Sequence, residues 1–382
     1  MIPFEMESLL RPLEEFEAIR RRAARLGDRL CDLSYANPYE GVEAATRAVL
    51  RRALYGERLL DLQYSPFGGQ TLVRRTVADD LSARYALPFA FDDVILTPGA
   101  MAALHLALRS LGEPGDEVIV PAPCWLDYPL YARYLGLTPV LVPLAEGSFD
   151  LDVAAIADAI TDRTRAVLLS HPSNPAGRNY DAASLRALAE VLNGADSRIT
   201  LIADEVQRDF VAAGEYRSIC QLYDATVLVY SFGKYHFLQG QRTGYLAISP
   251  RHQERARLAA EAVRWTRVMG FHAPTALMQI AIPDLLDLQH DMRHIASWRE
   301  RMTGELQESG YRVAPADATL FVYVATPHQQ DDFAFIRQLA AAGVLALPAP
   351  LFHHRGWFRI SLTGAERMLE RGLAALRRMG AA

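Results

Sequence analysis

Short apolar runs recur along the chain, each closing on a polar or glycine-rich turn. They include Val118-Ile-Val120, Ala166-Val-Leu-Leu-Ser170, Ile199-Thr-Leu-Ile-Ala203 and Ala225-Thr-Val-Leu-Val-Tyr230. Runs this short and this apolar read as strands buried on both faces. Ala90-Phe-Asp-Asp-Val-Ile-Leu96 reads as a further strand, leading through Thr97-Pro98-Gly99 into a helical pattern from Ala102 to Leu111. Another helix is expected from Asp181 to Leu192, with Asp181 as its N-cap after a turn at Gly177. Strand and helix patterns alternate in this way over residues 70–250, which predicts βαβ units and a parallel sheet. After Pro283, residues 284–309 read as one long helix ended by Gly310. Beyond it, strands are expected near 311–314, 320–325, 344–347 and 357–362, with helices near 331–342 and 365–379. The expected fold is α/β. A three-layer large domain with a mostly parallel sheet would span 46–283, and a smaller α+β domain would combine 1–45 with 284–382.

Composition agrees with this reading and narrows the function classes. The chain has 382 residues, enough for two sizeable cores, and is 51% hydrophobic and 22% charged. A net charge of −5 gives no electrostatic case for a nucleic-acid or membrane partner. The basic run Arg20-Arg-Arg22-Ala-Ala-Arg25 reads as a solvated helix face. Three cysteines (Cys31, Cys124 and Cys220) are odd in number and show no metal-ligand spacing, so no metal site is expected and a reducing cytoplasmic compartment fits best. Met1-Ile-Pro-Phe-Glu-Met-Glu7 lacks a basic start and an apolar core, so no signal peptide is expected. No run is long enough to span a bilayer.

Three polar groups stand just past three of the apolar runs: Asn174 in His171-Pro-Ser-Asn174-Pro-Ala-Gly177, Asp204 in Asp204-Glu-Val-Gln207, and Lys234 in Ser231-Phe-Gly-Lys234. Any one alone could be a turn residue or a helix cap. In open α/β sheets, however, ligands bind at the carboxyl ends of strands, so the three can converge on one site. A Lys with Ser231 three residues before it and Arg242 eight after suits an aldehyde cofactor that carries a phosphate. The amine can form a Schiff base once burial or a nearby cation lowers its pKa. Arg242 offers a planar fork of donors to the phosphate, with Ser231 beside it.

With these motifs the chain, from about Leu33 to its C-terminus, resembles the fold-type I pyridoxal-phosphate enzymes of the class I/II aminotransferase group. The resemblance implies that Lys234 forms the internal aldimine, that Asp204 pairs with the pyridine nitrogen, and that Asn174 bonds the phenolic oxygen. A carboxylate beside that nitrogen keeps it protonated and makes the ring an electron sink. Arg242, Ser231 and the turn Gly99-Ala100-Met101 match the phosphate ligands, the turn because it opens a helix with free N–H groups. Trp125, in Pro121-Ala-Pro-Cys-Trp125, takes the place of the ring stacked on the cofactor. Arg359, in Gly356-Trp-Phe-Arg359-Ile-Ser-Leu362, takes the place of the arginine that grips the substrate α-carboxylate. Leu62-Gln-Tyr64-Ser-Pro-Phe-Gly-Gly-Gln-Thr-Leu-Val-Arg74 resembles the segment whose Tyr reaches the phosphate in the partner subunit. A homodimer with shared sites is therefore implied, acting on an amino acid and a 2-oxo acid.

The chain also departs from the family pattern. Gln207 stands where most relatives have Tyr near the phenolic oxygen, and an amide donates but does not ionise. Ala36, in Leu33-Ser-Tyr35-Ala36-Asn37-Pro38, stands where a Gly often lies near the substrate carboxylate, and Gly233 replaces a Ser just before the Lys. Two chemistries remain open on this scaffold. One is transamination by proton transfer at Lys234; the other is elimination, replacement or cyclisation of an amino acid, as in specialised metabolism. Keeping Lys234, Asp204, Asn174 and both arginines argues against a non-enzymatic role. Tyr35, Tyr128, Trp265 and His272 are candidates for the side-chain pocket.

Overall fold

The computed structural model of the chain describes residues 4–39, 43–55, 62–211, 216–270, 273–327 and 330–380. In chain order its strands are β1 (Cys31–Asp32), β2 (Val94–Thr97), β3 (Glu117–Ala122), β4 (Thr138–Pro143), β5 (Thr164–Ser170), β6 (Thr200–Asp204), β7 (Thr226–Ser231), β8 (Gly244–Ile248), β9 (Phe321–Ala325), β10 (Val344–Leu345), β11 (Leu347–Pro348) and β12 (Trp357–Ser361). Seven of them form one sheet in the order β2-β8-β7-β6-β5-β3-β4. Pairing is parallel from β4 across to β7, and β8 runs antiparallel to both β7 and β2. The mostly parallel sheet read from the apolar runs is thus present.

Alternate residues of these strands feed two separate cores, one on each face. Ile119, Leu201, Ala203 and Leu228 join one cluster, while Val118, Val120, Ile202, Val227 and Val229 join the other. This period of two explains why the inner strands are so apolar: on β3, β6 and β7 every residue is buried and neither face meets water. Helix Ala182–Asn193 covers the first face with Leu185, Leu188 and Leu192. Helix Ala100–Leu111 covers the second with Leu104, Leu106 and Leu108, so the large sheet is the middle of three layers. Burying one such Leu side chain contributes roughly 1.5–3 kcal/mol. Gly244 marks the closest approach at the sheet's antiparallel turn-back: a Cβ there would lie 2.3 Å from the Tyr230 carbonyl oxygen.

The C-terminal part carries a smaller antiparallel sheet, β11-β12-β9, and β10 pairs in parallel with β1 from the N-terminal segment. Asp181 accepts from the Ser184 N–H at 2.7 Å, the cap expected for that helix, and Gly310 ends helix Arg293–Glu308 with φ +88°.

Five expectations need correction. Residues 284–309 are not one helix. Helix Ala276–Leu286 runs through Pro283, because Met278, Ala281, Ile282 and Leu285 are buried around it and their packing outweighs the missing N–H. A turn then precedes helix Arg293–Glu308, held where the His290 N–H donates to the Tyr235 hydroxyl at 2.9 Å and His290 Nδ1 lies 2.7 Å from Glu43 Oε2. The expected strand at 90–96 begins only at Val94; Asp93 accepts from the Ala90 N–H at 2.8 Å and closes a helical turn over Phe91–Asp93. The strand near 311–314 shrinks to a single bridge, Val313 to Val324, since Pro315 has no N–H to extend it. The strand near 344–347 divides into β10 and β11, which pair with different partners on either side of Ala346. In the basic N-terminal run, Arg21, Arg22 and Arg25 are exposed as expected, but Arg20 bonds Asp32 at 3.2 Å and lies over the Tyr35 ring.

Candidate active site

The carboxyl ends of β5, β6 and β7 deliver the three reactive groups together. Asn174 lies in the loop after β5, and its backbone N–H donates to Ser170 Oγ at 3.3 Å. Asp204 is the last residue of β6. Ser231 ends β7 and caps the short helix Phe232–Tyr235, its Oγ accepting from the Gly233 N–H at 3.2 Å; that helix presents Lys234. These residues line one cavity of about 240 Å³ together with Ala36, Ala100, Met101, Trp125, Gln207, Arg242 and Arg359. All but two of the residues expected to hold the cofactor or the α-carboxylate therefore meet here.

The exceptions are Gly99 and Tyr64. Gly99 lies just behind the lining, with φ +81°, and a Cβ there would stand 2.9 Å from Arg242 Nη2. A residue with a side chain would therefore be strained and would also push Arg242 away. Tyr64 does not line the cavity of its own chain and is 97% exposed.

Arg359 crosses from the smaller sheet to the larger one. It is buried, donates from Nη1 to Asn174 Oδ1 at 2.8 Å and from Nη2 to the Ser34 carbonyl at 3.0 Å. Its guanidinium lies 3.8 Å from the centre of the Phe321 ring and 5.8 Å from that of Trp125. Gln239 donates to the Ala36 carbonyl at 2.9 Å and so ties the N-terminal segment to the Lys234 loop.

Burial sets the protonation states. It lowers the Lys234 amine to about 8; the cations Arg359 and Arg242 add to this effect, while Asp204 opposes it. Burial raises the Asp204 carboxyl to about 6, against the pull of the Tyr128 hydroxyl, the Val206 N–H and Lys234. Tyr128 is buried and donates to Asp204 Oδ2 at 2.6 Å. Burial also presses the Arg359 guanidinium down, though a guanidinium keeps its charge in proteins.

The pocket candidates sort differently from expectation. Tyr35 lines the cavity. Tyr128 does not; it holds Asp204 from behind. Trp265 belongs to another surface, where it packs against Arg109 at 4.6 Å. His272 lies outside the described residues. The lining also includes Asn37, Leu104, Val206, Gln239 and Phe321, which sequence reasoning missed. Gln239 sits in the same loop as Lys234 and could have been named from that. Phe321 has no local signal, since only the packing of β9 beside β12 brings it to the site. A larger cavity of about 720 Å³, lined by Tyr85, Arg208, Asp209 and His236 among others, contains none of the reactive set. Its Arg208 is already held by Tyr85 at 2.9 Å and Glu205 at 3.6 Å.

The smaller cavity fits pyridoxal phosphate. Gln207 has no exposed surface, yet neither atom of its amide has a hydrogen-bond partner, and Arg359 Nε also has none. Leaving such a group unpaired costs about 1–3 kcal/mol, and a polar ligand in the cavity would relieve it. Arg242 and the N-terminus of helix Ala100–Leu111 suit a phosphate, and Lys234 suits an aldehyde.

A three-layer α/β fold with this set of groups at its strand ends is that of a fold-type I pyridoxal-phosphate enzyme. The family model of the aminotransferases of class I and II matches residues 32–376, and the chain belongs to that family. It is similar to a probable aspartate aminotransferase of Methanocaldococcus jannaschii, with 25% identity over 349 residues and 90% of each chain covered. It is also 30% identical over 322 residues to a probable aspartate/prephenate aminotransferase of Thermus aquaticus, covering 81% of this chain and 82% of that one. Among solved structures, an aminotransferase of Eubacterium rectale superposes with a TM-score of 0.89 at 26% identity, covering 99% of this chain and 98% of the other. A double mutant of Thermus thermophilus aspartate aminotransferase gives 0.86 at 25% identity, covering 95% and 96%. The protein is a pyridoxal-phosphate-dependent aminotransferase. Nothing in these likenesses favours elimination, replacement or cyclisation.

Proposed function

We propose that Lys234 is the residue that binds the cofactor covalently and transfers the proton, within a site completed by a second copy of the chain. The observation that carries this reading is the gathering of Lys234, Asp204, Asn174, Arg242 and Arg359 around one cavity, with the amine lowered to about 8. When bound, pyridoxal phosphate supplies an aldehyde for the amino group and a ring that accepts the electron pair left at the substrate Cα. Arg242, Ser231 and the Gly99-Ala100-Met101 turn hold the phosphate, and Trp125 packs against the ring. Asp204 keeps the ring nitrogen protonated; Asn174 and Gln207 bond the ring oxygen. Arg359 grips the α-carboxylate, with Ala36 alongside. Lys234 Nζ would take the proton from the substrate Cα as base and would later give it up as acid. A 2-oxo acid closes the cycle as amino acceptor.

The exposed Tyr64 supports a homodimer in which this side chain enters the partner's site. Residues 46–283 are assigned to the large domain, and 1–45 with 284–382 to the small one; the pairing of β1 with β10 supports the joining of the two ends. Three free, buried cysteines support a cytoplasmic location.

The test is borohydride reduction of the loaded enzyme followed by peptide mapping, with spectra taken before and after amino-acid addition. The cofactor should be fixed to Lys234, and the spectrum should convert to the pyridoxamine form. A label on another lysine refutes the assignment. For the dimer, mixing Lys234→Ala with Tyr64→Ala subunits should restore part of the activity, because one site of the mixed dimer is intact. No recovery despite proven subunit exchange counts against shared sites.

A further inference from the structure

The helix that presents Lys234 is one turn long, Phe232–Tyr235. A single turn is not stable by itself in water, so its position is set by what bonds and packs around it. Ser231 caps its start. Its end is held from far along the chain, because the two residues after Lys234 both bond His290. The His290 N–H donates to the Tyr235 hydroxyl at 2.9 Å, and His290 Nε2 lies 2.9 Å from His236 Nδ1. On its other side, His290 Nδ1 lies 2.7 Å from Glu43 Oε2. The contacts from Glu43 through His290 to His236 thus join three parts of the chain: the N-terminal part, the turn before helix Arg293–Glu308, and the Lys234 helix. Both rings are buried, and a buried polar ring is costly unless its nitrogens find partners. Burial and the neighbouring His290 press the His236 imidazole down to about 4, against the pull of Asp209, so at neutral pH this ring is uncharged and carries a single N–H. The Glu43 carboxylate accepts, which places a proton on His290 Nδ1. A neutral His290 then offers a lone pair at Nε2, and His236 Nδ1–H donates to it. The direction of both bonds is therefore set from the carboxylate inward. His236 also stacks on Phe232 of the same helix, with ring centres 6.1 Å apart. None of Glu43, His236 and His290 is among the described residues that line the Lys234 cavity, so each acts through another residue.

We propose that His290 is a positioning residue for Lys234: Glu43 fixes its ring, and through His236 and Tyr235 it holds the one-turn helix that aims the amine. This rests on the role assigned to Lys234 above. In the test, enzyme loaded with pyridoxal phosphate is given the common amino acids together in deuterium oxide, and deuterium gained at each Cα is read by mass spectrometry. Rates are taken per mole of bound cofactor, with thermal unfolding and cofactor loss on dilution measured beside them. His236→Phe keeps a flat ring in the same space and removes the bond to His290. Its exchange should fall about ten- to a hundredfold, the effect of a misplaced reacting group, while the half-saturating concentration of the fastest amino acid stays as in wild type. Cofactor should also be lost faster. His236→Asn, which returns a polar atom to the Nδ1 position, should recover most of the rate. Glu43→Leu changes a side chain half exposed to water and so spares the core; it should lower the rate about threefold, the effect of one hydrogen bond. Wild-type rates per bound cofactor in either His236→Phe or Glu43→Leu, with only the melting temperature lowered, overturn the proposal and leave Lys234 as the assigned lysine. A borohydride label on another lysine, or a wild type that exchanges no Cα proton, overturns that assignment, and the proposal falls with it.

Discussion

Replacing Tyr128 with Phe removes one oxygen atom and keeps the ring, so the buried packing of this residue is retained. What is lost is the 2.6 Å hydrogen bond from the hydroxyl to Asp204 Oδ2. That bond stabilises the charged carboxylate, and a bond to a charged group is worth about 1.5–3 kcal/mol. At about 1.4 kcal/mol per pKa unit, its loss should raise the Asp204 carboxyl by roughly one to two units. The starting value is about 6, so in Tyr128→Phe the group would titrate above neutrality. The sign follows from which form is bonded: the phenol donates to the carboxylate, so removing it favours the acid. The working form of Asp204 is the carboxylate, and its activity is lost as pH falls through the raised value. Turnover of the variant at pH 7 should drop roughly two- to tenfold, the change in carboxylate fraction that a shift of this size produces, and should recover as the pH is raised. The assay is kcat/KM against pH for both proteins, with cofactor affinity measured over the same range and thermal unfolding as a control on folding. An acid limb that does not move, or moves to lower pH, would refute the claim that Tyr128 tunes Asp204.

Three further outcomes follow from the geometry. Because Lys234 titrates near 8, its neutral amine dominates above that pH; the rate at which cofactor-free enzyme captures pyridoxal phosphate should rise through pH 8 and then level off. A rate still climbing toward pH 10 would show an ordinary lysine. Arg359→Leu should raise KM for the amino acid by roughly ten- to a hundredfold through loss of a charge-assisted anchor, and steady-state kinetics with unchanged KM would remove Arg359 from the carboxylate site. Gly99→Ala places a Cβ at φ +81° and 2.9 Å from Arg242 Nη2, a strain of about 1–3 kcal/mol. Cofactor should then wash out faster on dialysis, and retention equal to wild type would dissociate this turn from the phosphate.

The amino-acid order by itself determined the large sheet and pointed to the groups that meet at its strand ends. Lys234, Asp204 and Asn174 could be read because each follows an apolar run, and a strand end is a local feature encoded in neighbouring residues. The cap at Asp181 and the stop at Gly310 were legible for the same reason. What escaped depends on partners far apart in the chain. The bond from Arg359, itself named from sequence, to Asn174 spans 185 positions; Tyr128 donates to Asp204 and does not line the cavity; Phe321 enters the site only because β9 lies against β12. Helix Ala276–Leu286 continues through Pro283 because its buried face is packed, while His290 and its tertiary partners shape the turn that follows. Protonation likewise belongs to the fold. Lys234 and Asp204 are ordinary groups as sequence, and burial, which only the folded chain provides, moves one down and the other up toward neutrality.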